Sequence, residues 1–191
     1  MPMRMWDDRT APIGYLITFR AHGTWLHGDE RTSIDRFMNK YGGPRIPHRP
    51  EREAYNKTLS KIEPVYLNAT RRKAISVAID EVCQHRGWEL KAKNVRTNHV
   101  HVVVLTGDRK PGLVLNAFKA YSTRKMRETG CWESARSPWA DKGSNRWLWT
   151  DDSVWHACNY VINGQGEDLT EFDRLCADKN PRANAGGSAQ I

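Results

Sequence analysis

Seven consecutive residues, His99-Val-His-Val-Val-Val-Leu105, constrain this chain more than any other segment. Four of the seven are valine, whose branched Cβ is restricted in a helix and packs well on a pleated surface, so a central β-strand is expected. Side chains alternate along a strand. His99, His101 and Val103 therefore share one face, and Val100, Val102 and Val104 the other. A face made wholly of valine suits a core, which leaves the histidine face as the polar, open one. Imidazoles two residues apart lie about 7 Å apart at Cα and can converge on one cation. A divalent ion on two imidazoles still needs a further protein donor and open positions for oxygen ligands.

The flanking segments supply partners for this strand. Tyr15-Leu-Ile-Thr-Phe-Arg20 alternates as a first strand. From Ala69, the residues Ile75, Ala78, Ile79 and Val82 recur at helical spacing up to a stop at Gly87. Trp88-Glu-Leu-Lys-Ala-Lys-Asn94 alternates, placing Trp88, Leu90 and Ala92 on a core face and Glu89, Lys91 and Lys93 on an open one. After Pro111-Gly112, the residues Val114, Ala117, Phe118 and Tyr121 mark a second amphipathic helix with Lys119, Arg124, Lys125 and Arg127 on its other side. Cys131–Gly143 reads as a loop and Asn145–Thr150 as a short strand. Asp151-Asp152-Ser153 offers N-cap chemistry for a helix running to about Gly164. Two helices are interleaved with about four strands, with hairpin pairing rather than strict strand–helix alternation. An α+β fold is predicted, ferredoxin-like or RRM-like, with helices on one face of an antiparallel sheet and the other face open.

One domain accounts for residues 13–168, with a flexible N-terminus over 1–12 and a polar, disordered tail over 177–191. Residues 28–68 are rich in Gly, Pro and charge and read as an insertion, within which Arg49–Ser60 is expected to form a short helix. The net charge is +8, and residues 31–73 hold 11 basic against 4 acidic side chains, so about seven of those charges are concentrated there. Such an excess favours a polyanionic partner, nucleic acid first, although a solvated surface segment has the same composition. Cys83, Cys131, Cys158 and Cys176 stand singly with no C-x-x-C spacing, against a zinc site or a disulfide framework. No apolar run approaches the roughly 20 residues of a membrane span, and Met1–Thr10 lacks the apolar core of a signal peptide. A soluble, cytoplasmic protein is the expectation.

On the helix from about Asp152, the residues Val154, Ala157, Cys158 and Val161 form the buried stripe, while Ser153, His156, Tyr160 and Asn163 form another. Tyr160 thus stands apart from the core. Tyr121 lies on the apolar stripe of its own helix, where a packed ring is expected.

Thr97-Asn-His-Val-His-Val-Val-Val104 and Asn159-Tyr-Val-Ile-Asn-Gly-Gln165, in this order and about 60 residues apart, resemble the motifs of the single-tyrosine HUH transposases of insertion sequences and their REP-associated relatives. The resemblance runs from about Tyr15 to Gln165, leaving the 28–68 insertion aside. It implies that the metal site lies on the open face of the sheet, with His99 and His101 holding Mg²⁺ or Mn²⁺ and Tyr160 as nucleophile. It also implies cleavage and rejoining of single-stranded DNA, hairpins included, through a 5′-phosphotyrosine, and a possible homodimer. The third ligand of the family stands four residues after the tyrosine, and here that position is Gly164. Gln165 is favoured in its place and Asn163 is the alternative; Gln165 lies about 140° round an ideal helix from Tyr160 and reaches the site only if the chain turns at Gly164. Lys119, Arg124, Lys125, Arg127, Lys91 and Lys93 would track the DNA backbone, and Trp147 and Trp149 would stack on bases. A free tyrosine ionises near pH 10, so activation must come from the metal, nearby cations or a base, with His156 one turn away as a candidate.

Two rival readings carry different signatures. A non-catalytic RRM-type module binding single-stranded DNA or RNA shares the sheet and the charge but has no use for two histidines in its central strand. A histidine-triad nucleotide hydrolase needs a third histidine at the next alternate position, which is Val103.

Overall fold

Residues 11–24, 47–59, 63–166 and 169 are described by a computed structural model. Most of the expected flexible N-terminus, most of the 28–68 insertion and the whole 177–191 tail lie outside these residues. In chain order the elements are β1 (Gly14–Ala21), α1 (Pro50–Leu59), α2 (Ala69–Arg86), β2 (Glu89–Val95), β3 (His99–Leu105), α3 (Pro111–Glu128), β4 (Trp139–Leu148) and α4 (Asp151–Asn163). All strand pairs are antiparallel and the order is β2-β3-β1-β4, so the valine-rich β3 is interior, as its composition requires.

Local chemistry sets the helix limits. Asn68 caps α2 by accepting from the Arg71 amide at 3.0 Å, and Gly87, at φ 66°, closes it by donating to the Cys83 and Gln84 carbonyls. Thr150 caps α4 reciprocally with Ser153. Asp151 and Asp152 fall in its first turn, where carboxylates favour the positive end of the helix dipole.

The fold is α+β, with α2 and α3 on one face of the sheet. There Ile17, Phe19, Val100, Val102 and Val104 meet Ile75, Ile79, Val82, Val114 and Phe118. The second face is partly covered: Val154, Ala157 and Val161 of α4 pack on Leu16, Ala92, Val103 and Leu148. α4 leans mainly on β2 and β3 and touches β1 and β4 least. Val65 and Leu67, at the end of the expected insertion, are buried in the α2–α3 core, and their amides donate hydrogen bonds to the His22 and Thr97 carbonyls. α1 forms close to its expected span and buries nothing. Among the described residues no helix is long and apolar enough to cross a membrane.

Two expectations are corrected. First, β2 is bulged: Leu90 pairs with Val104 and Ala92 with Val103, leaving Lys91 as the extra residue. Trp88 and Leu90 consequently pack against the α2–α3 core while Ala92 joins the α4 side, so the three do not share a face. Second, β4 begins at Trp139, inside the stretch read as loop. Trp139 is buried, meets Phe19 edge-on at 4.8 Å, and donates its indole N–H to the Lys119 carbonyl at 3.1 Å and to Thr123 Oγ1 at 3.0 Å. The next residues, Ala-Asp-Lys-Gly-Ser-Asn, have no apolar alternation because they belong to an edge strand.

Candidate active site

Strand register assembles the site. Asn94 on β2, His101 on β3, Thr18 on β1 and Ser144 on β4 form one cross-strand row, and His99 stands opposite Arg20 one step along the same face. His101 is buried, and its Nδ1 lies 2.7 Å from Thr18 Oγ1. The Nδ1 side of the ring is therefore engaged by β1, leaving Nε2 as the ring's second donor atom. Burial, followed by the neighbouring His99, pushes the His101 pKa down to about 3, against a hydrogen bond to Gln165 that raises it. His101 is thus neutral at physiological pH, the state a metal ligand requires.

The two imidazoles meet edge to face, with ring centroids 4.7 Å apart. His99 Nδ1 lies 2.6 Å from Asn98 Oδ1. Facing a carbonyl oxygen, Nδ1 is the donor in this contact, and Nε2 is the ring nitrogen directed at Gln165.

α4 brings the tyrosine. Its buried stripe seats the helix, and Asn94 Nδ2 donates to the Val161 carbonyl at 2.9 Å, pinning α4 beside the histidine row. The Tyr160 ring lies 5.5 Å from the His101 ring, edge to face, and is 48% exposed. A ring that touches a buried histidine on one side and solvent on the other can be reached by a polymer.

The chain turns at Gly164, whose amide donates to the Tyr160 carbonyl at 2.9 Å. A Cβ there would come within 2.8 Å of the Tyr160 carbonyl oxygen and 3.0 Å of its ring, so a ligating side chain at this position would displace the tyrosine. Gln165 instead donates Nε2 to the Tyr160 carbonyl at 3.1 Å and points Oε1 toward His99 Nε2, 3.4 Å away. Asn163 turns aside and donates to Asn159 Oδ1 at 2.7 Å. Among the described residues no three His, Cys, Asp or Glu side chains group to hold a metal, so a third donor among them is of another type. Two imidazoles and an amide oxygen converge here, with Gln165 Oε1 facing His99 Nε2. The donor set fits a divalent ion, and its nitrogen content suits Mn²⁺ better than Mg²⁺, which prefers oxygen.

The expected backbone-tracking cations lie elsewhere. Lys119, Arg124, Lys125 and Arg127 belong to α3, across the sheet from the histidines. Lys119 Nζ reaches the carbonyls of Ala140, Asp141 and Lys142 at 2.6, 3.1 and 3.3 Å. Arg124 pairs with Glu128 and lies over the Tyr121 ring, Lys125 pairs with Glu81 and Glu128, and Arg127 donates to the Ser134 and Ala135 carbonyls. Lys93 is turned by the β2 bulge onto α2, where it binds Asp80 and the Ser76 carbonyl, and Lys91 pairs with Glu89. Trp147 and Trp149 are exposed and stack on each other at 5.7 Å, with Trp147 edge-on to Tyr15 on the α2–α3 side. His156 pairs with Asp152 at 3.5 Å on the exposed surface of α4.

Sequence reasoning missed Thr18, Asn98 and Asn94, which orient the two histidines and the tyrosine helix. Asn98 had a visible signal, its position next to His99. The other two depend on strand register.

Residues 59–152 match the family described as Transposase IS200 like. The chain is similar to the solved structure of a REP-associated tyrosine transposase bound to a REP hairpin, with 13% identity, 85% of this chain and 72% of that one covered, and a TM-score of 0.46. It is also similar to a protein of Deinococcus radiodurans R1 described as a transposase, with 11% identity, 86% and 100% covered, and a TM-score of 0.41. No curated protein matches the chain.

Proposed function

We propose, from the match of residues 59–152 to the family described as Transposase IS200 like, that this chain is a transposase of that family, a metal-dependent endonuclease that cleaves and rejoins single-stranded DNA through a 5′-phosphotyrosine. One observation carries this reading: Tyr160 meets His101 at 5.5 Å while Gln165, five residues on, reaches His99. A nucleophile and three donors thus share one spot on the sheet.

Tyr160 Oη attacks a backbone phosphorus, the P–O3′ bond breaks, and the strand ends as a 3′-hydroxyl and a 5′-phosphotyrosine; the reverse attack by a 3′-hydroxyl rejoins it. A divalent ion, when bound, polarises the phosphate and offsets the charge that builds on it. His99, His101 and Gln165 would hold that ion. Thr18 and Asn98 fix the rings so that both Nε2 atoms face inward. Asn94 keeps α4, and with it Tyr160, over the row.

The test uses the full chain, hairpin-bearing single strands labelled at either end, and Mn²⁺ or Mg²⁺. A species that survives denaturation, retains the 3′-end label and maps by mass spectrometry to Tyr160 is expected, together with an extendable 3′-hydroxyl on the other fragment. Tight binding without any covalent species across a broad hairpin set would replace this reading with the RRM-type binding module.

The third ligand has its own test. Gln165→Ala is expected to weaken Mn²⁺ binding roughly 10- to 100-fold, a ligand-level loss at least as large as that for an outer-shell partner. Asn163→Ala should leave it unchanged. Titration calorimetry on both variants decides between them, and the opposite pattern would move the ligand to Asn163.

A further inference from the structure

The tryptophans of the described residues divide by position. Trp139 is buried, and Trp88 and Trp132 are half-buried against the α2–α3 core. Trp147, Trp149 and Trp155 are exposed, and all three lie at the end of β4 and the start of α4. An indole is among the largest apolar surfaces a side chain can bury, so rings gathered in water at one place point to a partner.

Two of the three form a column. The rings of Trp147 and Trp149 stack, with centroids 5.7 Å apart and planes 25° from parallel. Trp147 also meets the buried Tyr15 ring edge to face at 5.8 Å. Trp149 is 43% exposed, and among the described residues it makes no second ring contact. The column therefore starts on a core residue and ends at an open aromatic face.

Its surroundings select what can cover that face. Tyr15 pairs with Val104 near the end of β3 and with Trp147 on β4. Burial, followed by the Asp108 carboxylate, raises the Tyr15 pKa, so the loop after β3 lies at the same end of the sheet. That loop exposes Asp108, Arg109 and Lys110, and α4 opens with the exposed Asp151 and Asp152. Charges of both signs thus rim the column, which suits a flat, uncharged ring better than a phosphate. A nucleobase is such a ring, and it continues an aromatic stack.

Thr150 alone separates Trp149 from α4, the helix that carries Tyr160. From Asp151 to Tyr160 that helix rises about 14 Å, roughly four nucleotide steps of a stacked strand. A base at Trp149 is then remote from the attacked phosphate.

We infer that the open face of Trp149, supported by Trp147 and Tyr15, stacks one base of the single DNA strand several nucleotides from the cleaved phosphate. The platform anchors the strand and takes no part in the chemistry. It rests on the nuclease reading for its ligand, and it accepts any base, because each has a π face.

The experiment measures fluorescence anisotropy of the full chain with a labelled hairpin carrying a single-stranded flank, in EDTA, across a KCl series. Trp149→Leu is expected to raise Kd about 5- to 150-fold, the range for one lost base–aromatic stack. The slope of log K against log salt should stay as in the wild type, because no phosphate contact is lost. Trp149→Phe should keep most of the affinity; leucine is also apolar, so the difference between the two variants reports the ring face. Abasic sites placed singly along the flank should reveal one position that weakens the wild type by a similar factor and has no further effect in Trp149→Leu.

An unchanged Kd in Trp149→Leu, a slope reduced by about 0.7 as for a lost phosphate, or abasic losses that add to that of the variant would overturn the platform. So would self-association of the wild type in sedimentation equilibrium that Trp149→Leu abolishes, since a second copy would then cover the rings. The adduct assay separates this from failure of the nuclease reading. Affinity that depends on Trp149 with no adduct in the wild type would keep the platform and sink the nuclease. A Tyr160 adduct with Kd unchanged in Trp149→Leu would do the reverse. Absence of any binding to single strands would sink both.

Discussion

Phenylalanine in place of Tyr160 is expected to abolish the covalent DNA–protein species and to lower strand cleavage by at least about 10⁴-fold, the scale on which removing a nucleophile acts. The substitution deletes one oxygen atom. The ring keeps its edge-to-face contact with His101, and the main-chain carbonyl keeps its bonds to Gly164 and Gln165. Thermal unfolding should therefore be unchanged, and hairpin binding should persist. Tyr121→Phe is the matched control, because that ring lies under Arg124, 4.4 Å from its guanidinium, on the helix across the sheet. Retention of the adduct in the Tyr160 variant, or its loss in the Tyr121 variant, would place the nucleophile elsewhere.

His101→Ala should act on two quantities that can be separated. Cleavage is expected to fall by about 10³-fold, equivalent to several kcal/mol of lost transition-state stabilisation, and added Mn²⁺ should not recover it. Stability should fall as well, by about 1–3 kcal/mol, because a buried ring is lost and the hydrogen bond at Thr18 Oγ1 with it. Urea unfolding gives the second quantity, and a Mn²⁺ titration of cleavage well below the unfolding midpoint gives the first. Activity that stays at the wild-type level with Mn²⁺ would remove His101 from the metal site.

Much of the architecture was legible because its signals are local. The limits of α2 follow from Asn68 and Gly87, and the interior place of β3 follows from its valines. The buried stripe of α4 was readable from Val154, Ala157 and Val161, which left Tyr160 on a different side of the helix. What failed to show was pairwise. A bulge is a relation between two strands, so the alternation of β2 looked regular while its second half had changed faces at Lys91. Thr18 is an unremarkable strand residue until register sets it against His101. Nor does the sequence alone reveal the partners of the basic side chains of α3, which are Glu81, Glu128 and the carbonyls at 134–135 and 140–142.

Only Trp149 and Thr150 separate β4 from α4, and the helix is seated by its own chain's sheet. The proposed nucleophile, Tyr160, therefore stands against histidines of the same molecule. Cleavage by a saturated substrate complex should then be first order in protein, with no lag on dilution. A mixture of Tyr160→Phe and His101→Ala molecules should remain as inactive as either alone, because neither variant can lend the other its intact half. Recovery of activity on mixing would mean that the helix is exchanged between copies.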